Sequence, residues 1–310
     1  MEIPLPDLLI PYAKMKETFD LYRIEPGKPV HIPYIDDGIP AGFPSPAQDY
    51  LQDTIDLNET LILNPGATYF ARIKSYYLSE EELEKGDGIL IDISLRPING
   101  DLALCVIDGD RMLKYIERKG GIFLVEGASK ERVEVCEDSN AYILGIVTTI
   151  LKVRRYKGRR TLIYEPRREP DVKHLTKPKR AIRWGYNPDY KYDVKGVVDL
   201  NEEFIHNPLS TTFGKVAGFS LLEDDIHDND SVIIDSSLEP NNGDLAVSYT
   251  DDGFTLKYIK QDDLGLWLLP GNREYKPIRI TEENELIVWG IITVSVRQLR
   301  QRKQKGKRKK

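Results

Sequence analysis

Short apolar runs, cut by glycine, aspartate and asparagine, recur along this chain and predict strands rather than helices. Residues 89–92 (Ile-Leu-Ile-Asp) and 232–235 (Val-Ile-Ile-Asp) are such runs. Residues 101–107 and 244–249 are apolar and rich in β-branched side chains, and each is entered through an Asn-Gly-Asp turn. A second turn, Asp108-Gly109-Asp110 or Asp251-Asp252-Gly253, leads into a strand that carries a lysine. Further strands are expected over 142–150 and 286–296. Helical spacing is confined to short pieces such as 79–85. Turn signals at intervals of roughly 8–12 residues predict a mainly β fold of small barrels or sandwiches.

The pattern occurs twice. Residues 42–114 superpose on 185–257 at a constant offset of 143 with no gap. Asp56-Leu57-Asn58-Glu59 falls on Asp199-Leu200-Asn201-Glu202, and Asn64-Pro65 on Asn207-Pro208. Asn99-Gly100-Asp101-Leu102-Ala103 falls on Asn242-Gly243-Asp244-Leu245-Ala246, and Leu113-Lys114-Tyr115 on Leu256-Lys257-Tyr258. A period this long marks duplicated domains, because solenoid repeats are far shorter. The expected division is an arm (1–41), a first domain (42–151), a basic, Pro-containing linker arm (152–184), a second domain (185–297) and a basic tail (298–310).

Charge adds an asymmetry. The net charge is −6, yet residues 297–310 hold nine basic residues and no acid. Removing those nine from 44 leaves 35 basic against 50 acidic residues, so the body is strongly acidic. The tail and the basic run that begins at Lys152 read either as contacts for nucleic acid or an acidic partner, or as solvated extensions. An acidic body argues against general DNA binding by the domains. No apolar run reaches the roughly 18 residues of a membrane helix, and the acidic, Pro-broken N-terminus does not read as a secretory signal. The cytoplasm is the default location. Cys105 and Cys136 form neither a disulfide framework nor a zinc site and read as small buried hydrophobes. His31, His174, His206 and His227 lack ligand spacing, and no glycine-rich phosphate loop is present, so no cofactor is expected. The acidic run Leu222-Glu223-Asp224-Asp225 reads as a solvated face rather than a cation site.

Several segments carry a family resemblance. These are Gly42-Phe43-Pro44-Ser45-Pro46-Ala47, Ile55-Asp56-Leu57-Asn58, Leu268-Leu269-Pro270-Gly271-Asn272, Tyr275-Lys276-Pro277-Ile278 and Val288-Trp289-Gly290. In order and spacing they resemble the UmuD-type, LexA-family self-cleaving peptidases of the bacterial SOS response. The resemblance covers about residues 30–150 and 175–297. It implies two tandem LexA/UmuD-like β-rich peptidase domains, each with a serine followed some 37 positions later by a strand lysine. The second copy supplies both residues, Ser220 and Lys257. The first keeps Lys114 but has Tyr77 at the serine position, with Ser75 and Ser79 out of register on either side. The family also works as a homodimer, so the tethered copies are expected to pack as an intramolecular pseudo-dimer.

The chemistry of such a pair is demanding. A serine hydroxyl needs an adjacent base, and a lysine serves only when neutral, which burial promotes. Lys257 is flanked by apolar strand neighbours, and Ser220 lies where a strand gives way to a short turn. The scissile bonds have diverged the opposite way. The first copy keeps a small residue before glycine, Ala41-Gly42, whereas the second has Trp184-Gly185, whose indole would clash in a pocket built for a small side chain. The expectation is that Ser220 and Lys257 cut Ala41-Gly42, within one chain or between two; the plainer reading makes that bond a hinge and Trp184 a packing residue.

By resemblance, the partners would be a Y-family translesion polymerase, a RecA-type filament on single-stranded DNA as trigger, and the chain's own second domain. A non-catalytic adaptor with a vestigial dyad is the alternative. A repressor would need a helix-turn-helix pair, which the Pro-rich residues 1–40 do not offer. A signal peptidase would need a membrane anchor.

Overall fold

The computed structural model describes residues 19–39, 53–74, 83–125, 132–136, 139–155, 194–250, 253–281 and 286–300. Eighteen strands among them join in one continuous hydrogen-bonded sheet, which curls into two equivalent halves. In the first half, β4 (Thr68–Ile73), β5 (Gly88–Asp92), β10 (Ala141–Val153), β6 (Leu102–Ile107), β7 (Asp110–Arg118), β8 (Ile122–Val125) and β9 (Arg132–Glu134) pair antiparallel in that spatial order. The second half repeats this order with β12 (Thr211–Val216), β13 (Ser231–Asp235), β18 (Ile287–Gln298), β14 (Leu245–Thr250), β15 (Gly253–Asp262), β16 (Gly265–Leu269) and β17 (Ile278–Ile280). The mainly β fold and the tandem duplication expected from the pattern are present.

The repeat is kept down to its irregularities. The last strand of each half is bulged against both of its neighbours, and Gly145 and Gly290, 145 residues apart, sit at the bulges that face β6 and β14. A Cβ on Gly145 would lie 2.6 Å from Ile91, and one on Gly290 2.7 Å from Ile234, so only glycine lets the strands approach this closely.

The two halves meet about a pseudo-twofold axis. β10 pairs antiparallel with β18, and Leu151 faces Val296, its own counterpart in the other half. The repeated Asp-Leu-Asn-Glu motif, used above only to set the register, opens two five-residue helices, α1 (Leu57–Leu61) and α2 (Leu200–Phe204). Asp56 and Asp199 cap them, accepting from Glu59 N (3.1 Å) and Asn201 N (2.7 Å). The Asp-x-x-Glu spacing is a helix-start signal that the strand-centred reading passed over.

These helices face each other, and their bonds are reciprocal. Leu57 N–H donates to Asn201 Oδ1 and Leu200 N–H to Asn58 Oδ1, both at 3.0 Å. Asn58 Nδ2 donates to Asp199 Oδ1 (3.1 Å) and Asn201 Nδ2 to Asp56 Oδ2 (2.7 Å). Residue i touching j while j's equivalent touches i is what a twofold interface requires. One apolar cluster spans the junction, with Leu57, Phe70 and Leu151 from one half and Leu200, Phe204 and Val296 from the other. The intramolecular pseudo-dimer is therefore the architecture. Because each half already covers the other's apolar face, the chain is expected to run as a monomer in light scattering; an obligate symmetric dimer would contradict that.

Two boundaries need correction. The segment beginning at Lys152 is not an exposed arm at its start: Lys152 and Val153 belong to β10, and Lys152 is buried. Arg155 pairs with Asp244 across the junction at 3.2 Å, and its counterpart Arg300 pairs with Asp101 at 2.6 Å. These cations neutralise the aspartates of the two Asn-Gly-Asp turns. Arg297 and Arg300, counted with the basic tail, are likewise engaged in ion pairs. Residues 156–193 and 301–310 lie outside the described residues. Cys105 is buried as expected, but Cys136 is exposed. No helix among the described residues is long and apolar enough to cross a membrane, and no cluster of potential metal ligands is found among them.

Candidate active site

Ser220 lies just beyond β12. The chain leaves the strand at Val216, turns at Gly218 (φ +103°), exposes Phe219, and after Ser220 buries Leu221 before a 3₁₀ turn at Leu222–Asp224. A left-handed φ at Gly218 favours a residue without a Cβ. Three bonds fix this loop. Gly218 N–H donates to Asp228 Oδ1 (2.9 Å), Asn272 Nδ2 to the Phe219 carbonyl (2.8 Å), and Glu223 N–H to the Gly271 carbonyl (2.9 Å). Asn272 is itself buried, and it holds the peptide immediately before Ser220. The sequence reading used Asn272 only as part of a motif; a polar side chain closing an apolar Leu-Leu-Pro-Gly run was the signal for its role.

Lys257 stands on β15 opposite Ala246 and is 5% exposed. Its ammonium lies 5.7 Å from the centre of the Tyr275 ring. Burial alone pushes its pKa below the usual lysine value, since no carboxylate offsets the lost hydration. Lys257 Nζ donates to the Leu256 carbonyl at 3.3 Å, and Ser220 Oγ donates to that same oxygen at 3.4 Å. The two groups thus converge on one acceptor without bonding to each other. Hydrogen bonds between a nucleophile and its base are commonly loose in unliganded sites.

In the first half, Lys114 holds the equivalent place on β7, opposite Ala103, but is only half-buried. Tyr77, Ala41, Gly42, Trp184 and Gly185 lie outside the described residues. What the structure brings together is therefore the second copy's pair.

In the acidic run after Ser220, Leu222 and Glu223 are exposed, as a solvated face requires, but Asp224 and Asp225 are partly buried. Asp225, at φ +57°, is held by Lys152 from the first half and by Arg297 at 2.7 Å from its own half. Burial works to raise its pKa, but the hydrogen bonds and charges of those two cations outweigh burial and hold it below the usual carboxylate value. Arg154, also from the first half, donates to the Asp224 carbonyl at 3.0 Å and to Ser295 Oγ at 2.7 Å. The half without the serine thus braces the serine loop of the other. Composition showed these cations only as a basic run; their partners are some 70 residues away in the chain.

The edge of β12 is also informative. β2 (Ile32–Ile39) pairs with it in parallel, Phe213 opposite Tyr34, Gly214 opposite Ile35 and Val216 opposite Ile39. Both strands run toward the Ser220 loop, and β2 also lies against β15. Ala41 follows two residues after Ile39.

The family model described as Peptidase S24-like matches residues 33–148 and 181–293, one segment in each half. The chain belongs to the Peptidase S24-like family. Among relatives of this S24-like chain is Protein SamA of Salmonella typhimurium, 37% identical over 93 residues, which are 30% of this chain and 66% of SamA. Protein ImpA of Escherichia coli is 30% identical over 119 residues, 38% of this chain and 82% of ImpA. The LexA repressor of Desulfatibacillum aliphaticivorans is 36% identical over 110 residues, 34% of this chain and 53% of that repressor. These matches thus span between 30% and 38% of the S24-like chain.

Proposed function

We propose that this chain is a self-processing serine peptidase of the SOS type, in which Ser220 and Lys257 cleave the chain's own Ala41–Gly42 bond. The observation that carries this reading is the convergence of Ser220 Oγ and the buried Lys257 Nζ on the Leu256 carbonyl. In the proposed reaction, neutral Lys257 takes the Ser220 hydroxyl proton as the oxygen attacks the Ala41 carbonyl carbon. The C–N bond breaks, and the lysine returns that proton to the departing Gly42 amine. Water, deprotonated by the same lysine, then attacks the ester carbonyl; the bond to Ser220 Oγ breaks, the lysine returns the proton to that oxygen, and the freed acid at Ala41 ionises to a carboxylate. The parallel seating of β2 on β12 supports delivery within one chain.

The biological setting is part of the proposal. The kinship with ImpA and with a LexA repressor supports an accessory role to an error-prone Y-family polymerase, triggered by a RecA-type filament on single-stranded DNA.

The test is incubation of purified protein at mildly alkaline pH, or with activated filament, followed by N-terminal sequencing. A fragment beginning at Gly42 is expected, at a rate unchanged by tenfold dilution, and Ser220→Ala should remain whole. Equal clipping of Ser220→Ala would remove the dyad from the account. Wild type that stays intact under both conditions would leave a non-catalytic adaptor.

A further inference from the structure

The amino-terminal segment is built into the sheet rather than laid over it. β1 (Phe19–Ile24) is bonded on both sides, antiparallel to β4 of the first half and parallel to β11 (Val194–Val198) of the second. β2 is bonded on both sides as well, in parallel to β12 and antiparallel to β3 (Asp53–Ile55). Between them the chain crosses the junction of the halves. There Glu25 N–H donates to the Val198 carbonyl at 3.0 Å, Gly27 N–H to Asp199 Oδ2, and Val30 N–H to Asp56 Oδ2 at 2.9 Å. Those aspartates are the caps of α2 and α1. The side chains are anchored along with the backbone. Phe19 and Leu21 enter the first half's core, while Ile24 and Ile32 enter the cluster shared by the two halves.

From this we infer that cutting the chain between Ile39 and Asp53 does not free the arm. The four strand edges of β4, β11, β12 and β3 form a docking surface whose occupant is this chain's own residues 19–39, and the product is a two-chain complex. Taking the fragment away would strip partners from four edges and expose buried apolar side chains at once, a cost that severing a single peptide bond does nothing to offset. The inference rests on the proposed cleavage only for its biological occasion. It limits what processing changes to the new ends at Ala41 and Gly42.

Two samples test it separately. In the first, a recognition sequence for a site-specific protease is inserted among residues 40–52 of the Ser220→Ala chain, which is then cut by that protease. In the second, the wild-type chain is allowed to cut itself. Each is examined by denaturing gel, by size exclusion at micromolar concentration and by native mass spectrometry. The expected result is two bands on the gel but one native species with the mass of the whole chain, separating only in denaturant. Native elution of a folded body without its arm, in either sample, overturns the inference. A retained arm after engineered cutting, with no self-cleavage in wild type, upholds the inference and removes the proposed function. Leu21→Asp in the engineered chain is expected to shed the arm after cutting; unchanged retention would mean that burial of β1 is not what holds it.

Discussion

Lys257→Met protein is expected to lose self-cleavage and to melt at a higher temperature than wild type. The loss should be about a thousandfold or more, the scale seen when one member of a nucleophile–base pair is removed. The gain in stability follows from the same burial. Lys257 has its pKa pushed below the ordinary lysine value because the folded state strips water from the ammonium. Between the folded value and the unfolded one, the unfolded chain binds the extra proton, so stability rises with pH across that window. Below it the amine is charged in both states, and the fold carries the full desolvation penalty. Methionine fills a similar volume without that penalty. Melting curves from neutral to alkaline pH should therefore converge: the variant starts higher, and the alkaline rise specific to wild type is absent from it. Self-cleavage should follow the same loss of a proton and accelerate as pH climbs through the folded value. A variant that retains a tenth of wild-type cleavage, or melts lower at neutral pH, would contradict the assignment of a buried, uncompensated amine.

Asn58→Ala should destabilise the chain by roughly 1–3 kcal/mol, because it leaves a buried donor without an acceptor. The Asn58 side chain accepts from Leu200 N–H and donates to Asp199 Oδ1 across the junction. Asp199 keeps other donors, Asn201 N and Glu202 N, so the orphan is the Leu200 amide. Asn201→Ala removes the mirrored bonds and should cost the same to within about 0.5 kcal/mol. Urea unfolding of both variants measures this directly. Costs that differ by more than about 1 kcal/mol would mean that the interface is twofold in outline but not in energy.

Much of this fold was legible because alternation and turn residues act locally. The runs at 89–92 and 232–235 became β5 and β13, and the Asn-Gly-Asp turns open β6 and β14 with Gly100 and Gly243 at positive φ. A constant offset needs no structure to be seen. What escaped was tertiary. The Asp-Leu-Asn-Glu motif recorded its repetition but not that Asn58 and Asn201 reach across to each other's helix. The run at Lys152 recorded charge but not Asp225, a carboxylate from the far half. At the site, the family resemblance pointed to Ser220 and Lys257, and the apolar neighbours of Lys257 in the strand made it a candidate for burial. The common acceptor, Leu256 O, is a backbone atom and leaves no trace in side-chain identity.

One contact in the junction breaks the twofold rule. Arg72 pairs with Glu203 at 2.5 Å, but the same offset maps them to Lys215 and Thr60, so the mirrored place lacks a carboxylate. Identical subunits cannot make such a one-sided change, since every substitution in them appears twice. Two halves in one chain lift that constraint: a side chain that braces the junction on one side, such as Glu203, needs no copy on the other.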